Sequence, residues 1–419
     1  MKYLASFSFF MFTILSFSQN SNQEIGAKFI KLLLEEKNFH EAYSFFDESV
    51  KVKISEKLLE DADAQLGNQL GKFERILEVN KDNKTYFYYS EFEKMKIDVK
   101  IIFNEDDKII GFFFSPHKEF SKEKSLGKEL VIKSGTIALK GTVLVPESNN
   151  LKKLVVFVHG SGPQDRDETI YENKPFKDIA EGLYAKGIAS YRFDKRTLSN
   201  PETFNDKSTI DDEVTNDILN IIKYFKEDSQ FKAYEIIVLG LSLGANVMPR
   251  IANQSNQIAK IILLAGNARP LEVLVAEQYD HLYQLDPSPE LLEGSKKIKE
   301  QIAVLKSKEF NLNTPKENLP FNLSAYYWKS LLDYKPLQEV KKVKLPILIL
   351  QGERDYQVTM KDFQLWKEAL KNNNKATLIS YPKLNHLFIP GEGISGPKEY
   401  TIKGHVDENV INDIAAFIN

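Results

Sequence analysis

A chain of 419 residues, 42% hydrophobic and 11% aromatic, can bury one large core and still supply a second, smaller one, so two domains are expected. Its basic and acidic residues are interspersed and leave a formal net charge of -3, which gives no footprint for nucleic acid and no polybasic face for a membrane; small or neutral substrates fit better. With no cysteine and no H-x-x-x-H or H-x-x-E-H spacing, disulfides, a lipid anchor on sulfur and metal chemistry are disfavoured, and no cofactor is expected.

In chain order, Met1-Lys2 is a minimal positive start, Tyr3 to Phe17 is almost wholly apolar, and Ser16 and Ser18 place small residues where a signal peptidase reads. Residues 1–18 therefore read as a signal peptide, short for a spanning helix of roughly 20 residues, and the product is expected to be exported, periplasmic or secreted, without a stable membrane anchor. In residues 22–118, Ile25, Phe29, Ile30, Leu33 and Leu34 recur at helical spacing, and Glu41 to Phe46 and Glu56 to Leu70 read as helices. Strands follow at Thr85 to Phe92, Lys96 to Phe103 and Lys108 to Phe114, the last two separated by the turn Asn104-Glu105-Asp106-Asp107. This region carries no catalytic constellation.

Beyond the polar linker Lys118 to Lys128, a second domain is expected over residues 125–419. Antiparallel strands at Glu129 to Lys133 and Thr136 to Val145 give way to alternation: strand Val155 to Val158, helix Pro175 to Ala185, strand Ile188 to Phe193, helix Ile210 to Lys226, strand Ile236 to Leu239, a helix after Ser242, strand Ile261 to Leu264. That alternation predicts a mostly parallel, doubly wound sheet covered on both faces. Residues 269–340, rich in helix formers and holding Tyr279, Tyr283, Tyr326, Tyr327 and Trp328, read as a helical cap between the sixth and seventh strands. Leu345 to Leu350 and Ala376 to Tyr381 complete the sheet.

The chemistry sits at the ends of these strands. Gly240-Leu241-Ser242-Leu243-Gly244 joins a strand to a helix, the context in which G-x-S-x-G presents a serine on a strained, exposed turn, and Ser242 is the candidate nucleophile. A serine needs a base, and the base an orienting carboxylate. Asp355 lies just beyond Leu350 and His386 just beyond Tyr381, so the order is Ser, Asp, His, each after a strand. His405 is the rival base, although no strand closely precedes it. His159-Gly160-Ser161-Gly162, after the strand Leu154 to Val158, has glycines that let backbone N–H groups face a ligand; His159 itself reads as structural. His40, His117 and His281 read as surface residues. Asp165-Arg166-Asp167-Glu168 and Asp194-Lys195-Arg196 are expected to pair with each other, in preference to recognition of a substrate carboxylate by Arg166 or Arg196.

Over residues 125–419 these words resemble α/β-hydrolases of the serine esterase and peptidase group. HGSGPQDRD and NKPFKDIAEGL resemble a bacterial exported, S33-peptidase-like subgroup with an extra N-terminal domain, and residues 22–118 resemble an NTF2-like α+β cone of the DUF3887 type, an accessory or dimerising module. The resemblance implies a carboxylesterase acting on a small-molecule ester through Ser242, Asp355 and His386, with the amides of Ser161 and Leu243 binding the oxyanion. Short acyl esters are the expected substrates, since Ser161 replaces the extended glycine loop of some lipases. Two alternatives stay open: a peptidase whose cap residue Glu272, Glu277 or Asp280 holds a substrate ammonium, and a binding protein on a hydrolase scaffold. Self-association through the N-terminal domain is a further expectation.

Overall fold

A computed structural model of the chain describes residues 22–52, 54–82, 84–117 and 126–419; the expected signal peptide and most of the expected linker lie outside them. The chain divides into two compact units, residues 1–122 and 123–419.

In the first unit, helices α1 (Asn22–Ile30), α2 (Phe39–Tyr43), α3 (Glu48–Lys51) and α4 (Glu56–Leu70) precede the strands β1 (Phe73–Asp82), β2 (Thr85–Phe92), β3 (Lys96–Phe103) and β4 (Ile109–Ser115). The strands form an antiparallel sheet in chain order. Ser55 caps α4 by accepting the Leu58 N–H at 3.2 Å, as the serine at this boundary requires. Phe29, Ile30, Leu33 and Leu34 pack against Tyr88, Val99, Ile101 and Phe103, so the helical apolar stripe and the sheet close one core. β1 is an element the sequence pattern does not announce. Its pairing with β2 is broken by two register shifts, Phe73/Arg75 and Ile76/Glu78, and each shift disrupts the period of two by which a strand is read.

The second unit holds an eight-stranded sheet: β5 (Lys128–Ser134), β6 (Ile137–Leu144), β7 (Lys153–Val158), β8 (Ala189–Phe193), β9 (Glu235–Leu241), β10 (Ile258–Leu264), β11 (Ile347–Gly352) and β12 (Ala376–Tyr381). Their spatial order is β12-β11-β10-β9-β7-β8-β6-β5, with β5 and β6 antiparallel and the pairs from β8 to β12 parallel. The linking helices are α5 (Pro175–Ala185), α6 (Arg196–Ser199), α7 (Asn216–Glu227), α8 (Leu243–Gln254), α13 (Met360–Ala369) and α14 (Glu408–Ile418), and α9 (Leu271–Leu285), α10 (Pro289–Lys306), α11 (Ala325–Asp333) and α12 (Pro336–Glu339) form the insertion between β10 and β11.

The central strands are apolar on both faces, as strands covered by two helix layers must be. In β7, Leu154, Val156 and Val158 enter one core, with Ile221 and Ile222 of α7, Val247 of α8 and Trp366 of α13. Val155 and Phe157 enter the other, with Phe176 and Ile179 of α5 and Ile414 of α14. The chain leaves β7 for β8 on one side and then crosses back to β9 on the other. This reversal opens a crevice at the carboxyl ends of β7 and β9, where open parallel sheets bind their ligands.

Candidate active site

Ser242 occupies the single residue between β9 and α8, with φ 55° and ψ -115°, a backbone conformation that L-residues rarely adopt. The turn is held by the Ser242 N–H donating to Leu264 O at 2.9 Å and by Ser242 O accepting the Asn246 N–H at 2.9 Å. The flanking glycines are required sterically. A Cβ at Gly240 would stand 2.4 Å from the Gly244 carbonyl carbon, and one at Gly244 would stand 2.2 Å from Val158 O. Strand, turn and helix therefore approach backbone to backbone, and the serine is raised at the sheet's edge, half-exposed, lining a cavity.

Asp355 and His386 come from the loops after β11 and β12. These loops run in contact: a Cβ at Gly352 would lie 2.4 Å from Leu384 O and 2.5 Å from Asn385 O. His386 Nδ1–H donates to Asp355 Oδ2 at 2.7 Å, and both residues are buried. The Asp355 carboxylate is oriented by Gln351 Nε2 at 3.1 Å and by the amides of Gln357 at 2.8 Å and Val358 at 3.0 Å. Asn385 Oδ1 accepts the amides of Leu387 at 3.0 Å and Ile389 at 3.2 Å, and so shapes the turn that carries His386. With Nδ1 engaged, Nε2 is the nitrogen left to exchange a proton. His405 instead has a side chain 74% exposed and pairs with Asp178 at 3.1 Å.

The loop after β7 sits beside the serine, since a Cβ at Gly160 would approach Ser242 Cβ to 3.4 Å. His159 is buried against Phe176 and Phe193, its Nε2 without a hydrogen-bond partner among the described residues, and burial first, then the Lys195 cation, lower its pKa to about 3. It is held neutral and away from the cavity lining. The Gly160 N–H donates to Glu168 Oε1 at 3.0 Å, and burial raises the pKa of that carboxyl to about 8. Lys195, its side chain 2% exposed, donates to Gly160 O at 2.7 Å, Gly162 O at 3.0 Å and Glu213. Ser161 is exposed and Leu243 opens α8; both line the cavity with Ser242.

That cavity, about 720 Å³, lies beneath the insertion and is walled by Leu274, Val275, Leu323, Leu331 and Leu332. Of the acidic residues considered for an ammonium, Glu277 is taken by Arg269 at 2.8 Å and Lys361 at 3.0 Å, and Asp280 by Lys299 at 2.5 Å. Glu272 is 5% exposed, lines the cavity and has neither an ion pair nor a hydrogen bond from its side chain among the described residues. The two charged words do pair: Arg166 grips Asp194 with Nε at 3.0 Å and Nη2 at 2.6 Å. Arg192 takes Asp167 and Arg196 takes Asp217, so neither Arg166 nor Arg196 is free for a substrate carboxylate. Two histidines expected at the surface are half-buried. His117 stacks on Tyr89 and pairs with Asp98, and His281 stacks on Tyr356 while bonding Ser395 O at 2.8 Å, because aromatic neighbours distant in sequence cover them. Lys195 belongs to a charged word expected to pair with residues 165–168; its partner is instead Glu213, which the sequence reading passes over because it stands inside a helix.

Residues 149–392 match the family described as serine aminopeptidase, S33, and residues 27–112 match a family of unknown function, DUF3887. The chain is 33% identical over 399 residues to the esterase EstD of Thermotoga maritima, covering 92% of each. Among solved structures it is similar to an esterase of Pyrococcus furiosus, 16% identical with a TM-score of 0.47 over 72% of this chain and 94% of that one. It is also similar to the proline iminopeptidase of Mycobacterium smegmatis, 13% identical with a TM-score of 0.46 over 70% and 97%. Strand order, the serine turn at the crevice and a family match over more than half its length make this chain a serine hydrolase of the α/β-hydrolase fold, a member of the S33 serine aminopeptidase family.

Proposed function

We propose that the chain is an exported carboxylesterase working through Ser242, His386 and Asp355. The observation that carries the mechanism is Ser242 on its strained turn, lining the cavity. Ser242 Oγ attacks the acyl carbon as its proton passes to His386 Nε2, and Asp355 steadies the imidazolium through Nδ1. The amides of Ser161 and Leu243 receive the oxyanion, and the tetrahedral adduct collapses as His386 protonates the departing alkoxide. Water then repeats the sequence on the acyl-enzyme. The ester reading is supported by the likeness to EstD along 92% of both chains. Export is supported by the apolar stretch Tyr3 to Phe17 after Lys2; among the described residues no helix is long and apolar enough to cross a membrane.

Glu272 favours a second reading, an aminopeptidase, because a carboxylate that lines the cavity and has no partner among the described residues suits a substrate ammonium. The two are separated by kcat/KM on p-nitrophenyl esters from acetyl to decanoyl and on aminoacyl and prolyl amides, each divided by its uncatalysed rate. Esters are expected to win, with turnover lost by about four orders of magnitude or more in Ser242→Ala. A preference for free-amine amides that disappears in Glu272→Gln would replace the esterase reading with the peptidase one.

A further inference from the structure

Lys195 has an arrangement that ordinary ion pairing does not explain. Its ammonium directs all three donors at fixed acceptors: Gly160 O at 2.7 Å, Gly162 O at 3.0 Å and the Glu213 carboxylate. The two carbonyls flank Ser161. In a trans peptide the C=O and the following N–H point in opposite directions, so whatever holds Gly160 O also sets where the Ser161 N–H points. A cation on that oxygen also polarises the amide and strengthens its N–H as a donor. The loop has further anchors: the Gly160 N–H donates to Glu168 at 3.0 Å, Ser161 O accepts Gln164 Nε2 at 3.3 Å, and Gly162 O also accepts Thr197 Oγ1 at 3.0 Å.

The other side of Lys195 reaches the insertion. Glu213 accepts the Tyr327 hydroxyl through its second oxygen, and Tyr327 stands on α11, which is part of the cavity wall. Burial, and next the Glu213 carboxylate, push the Tyr327 phenol well above its ordinary pKa, so it remains a donor. A line of hydrogen bonds thus runs from α11 through Glu213 and Lys195 to the Gly160–Ser161 peptide plane and, further along the loop, to the Gly162–Pro163 plane.

We propose that Lys195 is a positioning residue that aims the Ser161 amide at the oxyanion, and that Glu213 and Tyr327 tie this grip to the cap helix α11. The inference rests on the assignment of Ser161 as an oxyanion donor. Lys195 never touches substrate; it acts through the Gly160 carbonyl. Its contribution is therefore made in the transition state, where negative charge has developed on the acyl oxygen, and it should appear in kcat and not in KM.

The test is Lys195→Met in the full chain, assayed with p-nitrophenyl acetate and with an alkyl trifluoromethyl ketone whose serine adduct carries an oxyanion. Removing an oxyanion donor costs about 100- to 1000-fold in kcat, and misaiming one should cost about 10- to 100-fold. KM should stay within about twofold, and affinity for the ketone should fall by the same factor as kcat. A Lys195→Met protein that is folded yet keeps wild-type kcat, or loses activity through KM alone, or loses kcat with undiminished ketone affinity, overturns the proposal. Should this variant fail to fold, Glu213→Gln and Tyr327→Phe decide. A smaller loss with the same kcat and ketone signature in either supports the proposal, and wild-type values in both overturn it. Ser242→Ala is measured alongside: turnover retained there refutes the hydrolytic mechanism itself, whereas a dead Ser242→Ala beside a fully active Lys195→Met refutes only the role of Lys195.

Discussion

Glu168 and His159 show how burial sets charge at single residues beneath the loop that faces Ser242. Glu168 has a carboxyl whose Oε2 lacks a partner among the described residues and whose pKa rises from 4.5 to about 8. In the unfolded chain it ionises near 4.5; in the folded protein it stays neutral until about 8. Its contribution to stability is fully present below 4.5 and is lost progressively as pH rises to about 8. Glu168→Gln, which copies the neutral acid, is therefore expected to gain stability relative to wild type between about pH 5 and about pH 8, as read by denaturant midpoints. A stability difference that does not change with pH would contradict the raised pKa. His159 runs the other way: its depressed pKa gives a contribution complete above 6.5 that declines as pH falls toward about 3. The order of Asp355 and His386 and the preference for His386 over His405, which no strand closely precedes, were legible in the chain; the contacts themselves, the His386 loop against Gly352 and His405 against Asp178, were not, because they join residues far apart in sequence.

At the level of elements, the turn between β9 and α8 is where local sequence and local geometry agree most closely. Gly240 and Gly244 are there because neighbouring backbones leave no room for Cβ atoms, not to supply flexibility. Gly244→Ala would press a methyl into Val158 O, with no side chain able to yield, and is expected to cost about 3 kcal/mol of stability and most of the activity. A variant with wild-type thermal midpoint and kcat would show that β7 and α8 do not approach so closely. By contrast, β1 escaped reading because its bulges interrupt the alternation, while α5, opening with Pro175, and β12 could be delimited from their own residues.

For the whole molecule, the separation of cores has a functional consequence. Every residue proposed for catalysis lies in the second unit, and the first closes its own core around Phe29, which meets Phe46 and Phe112 edge to face at 5.3 and 5.1 Å. Phe29→Ala is expected to destabilise the first unit by about 3–5 kcal/mol while leaving kcat for p-nitrophenyl acetate within about twofold, measured by calorimetry and steady-state kinetics on the full chain. Loss of turnover in step with the unfolding of that unit would instead assign it a part in the reaction. The amino-acid sequence by itself determined the strand-helix alternation, the strained serine turn and the order in which Ser242, Asp355 and His386 follow their strands, because each depends on residues close together along the chain. Only the tertiary structure decided the rest. It placed β7 between β8 and β9 to open the crevice, fixed which members of the two charged words meet by setting Arg166 on Asp194, left Glu272 over the cavity with no ion pair among the described residues, and drove Lys195 into the loop around Ser161. A buried charge must find its partner wherever packing brings one, and that place is set by which strands become neighbours, not by separation along the chain.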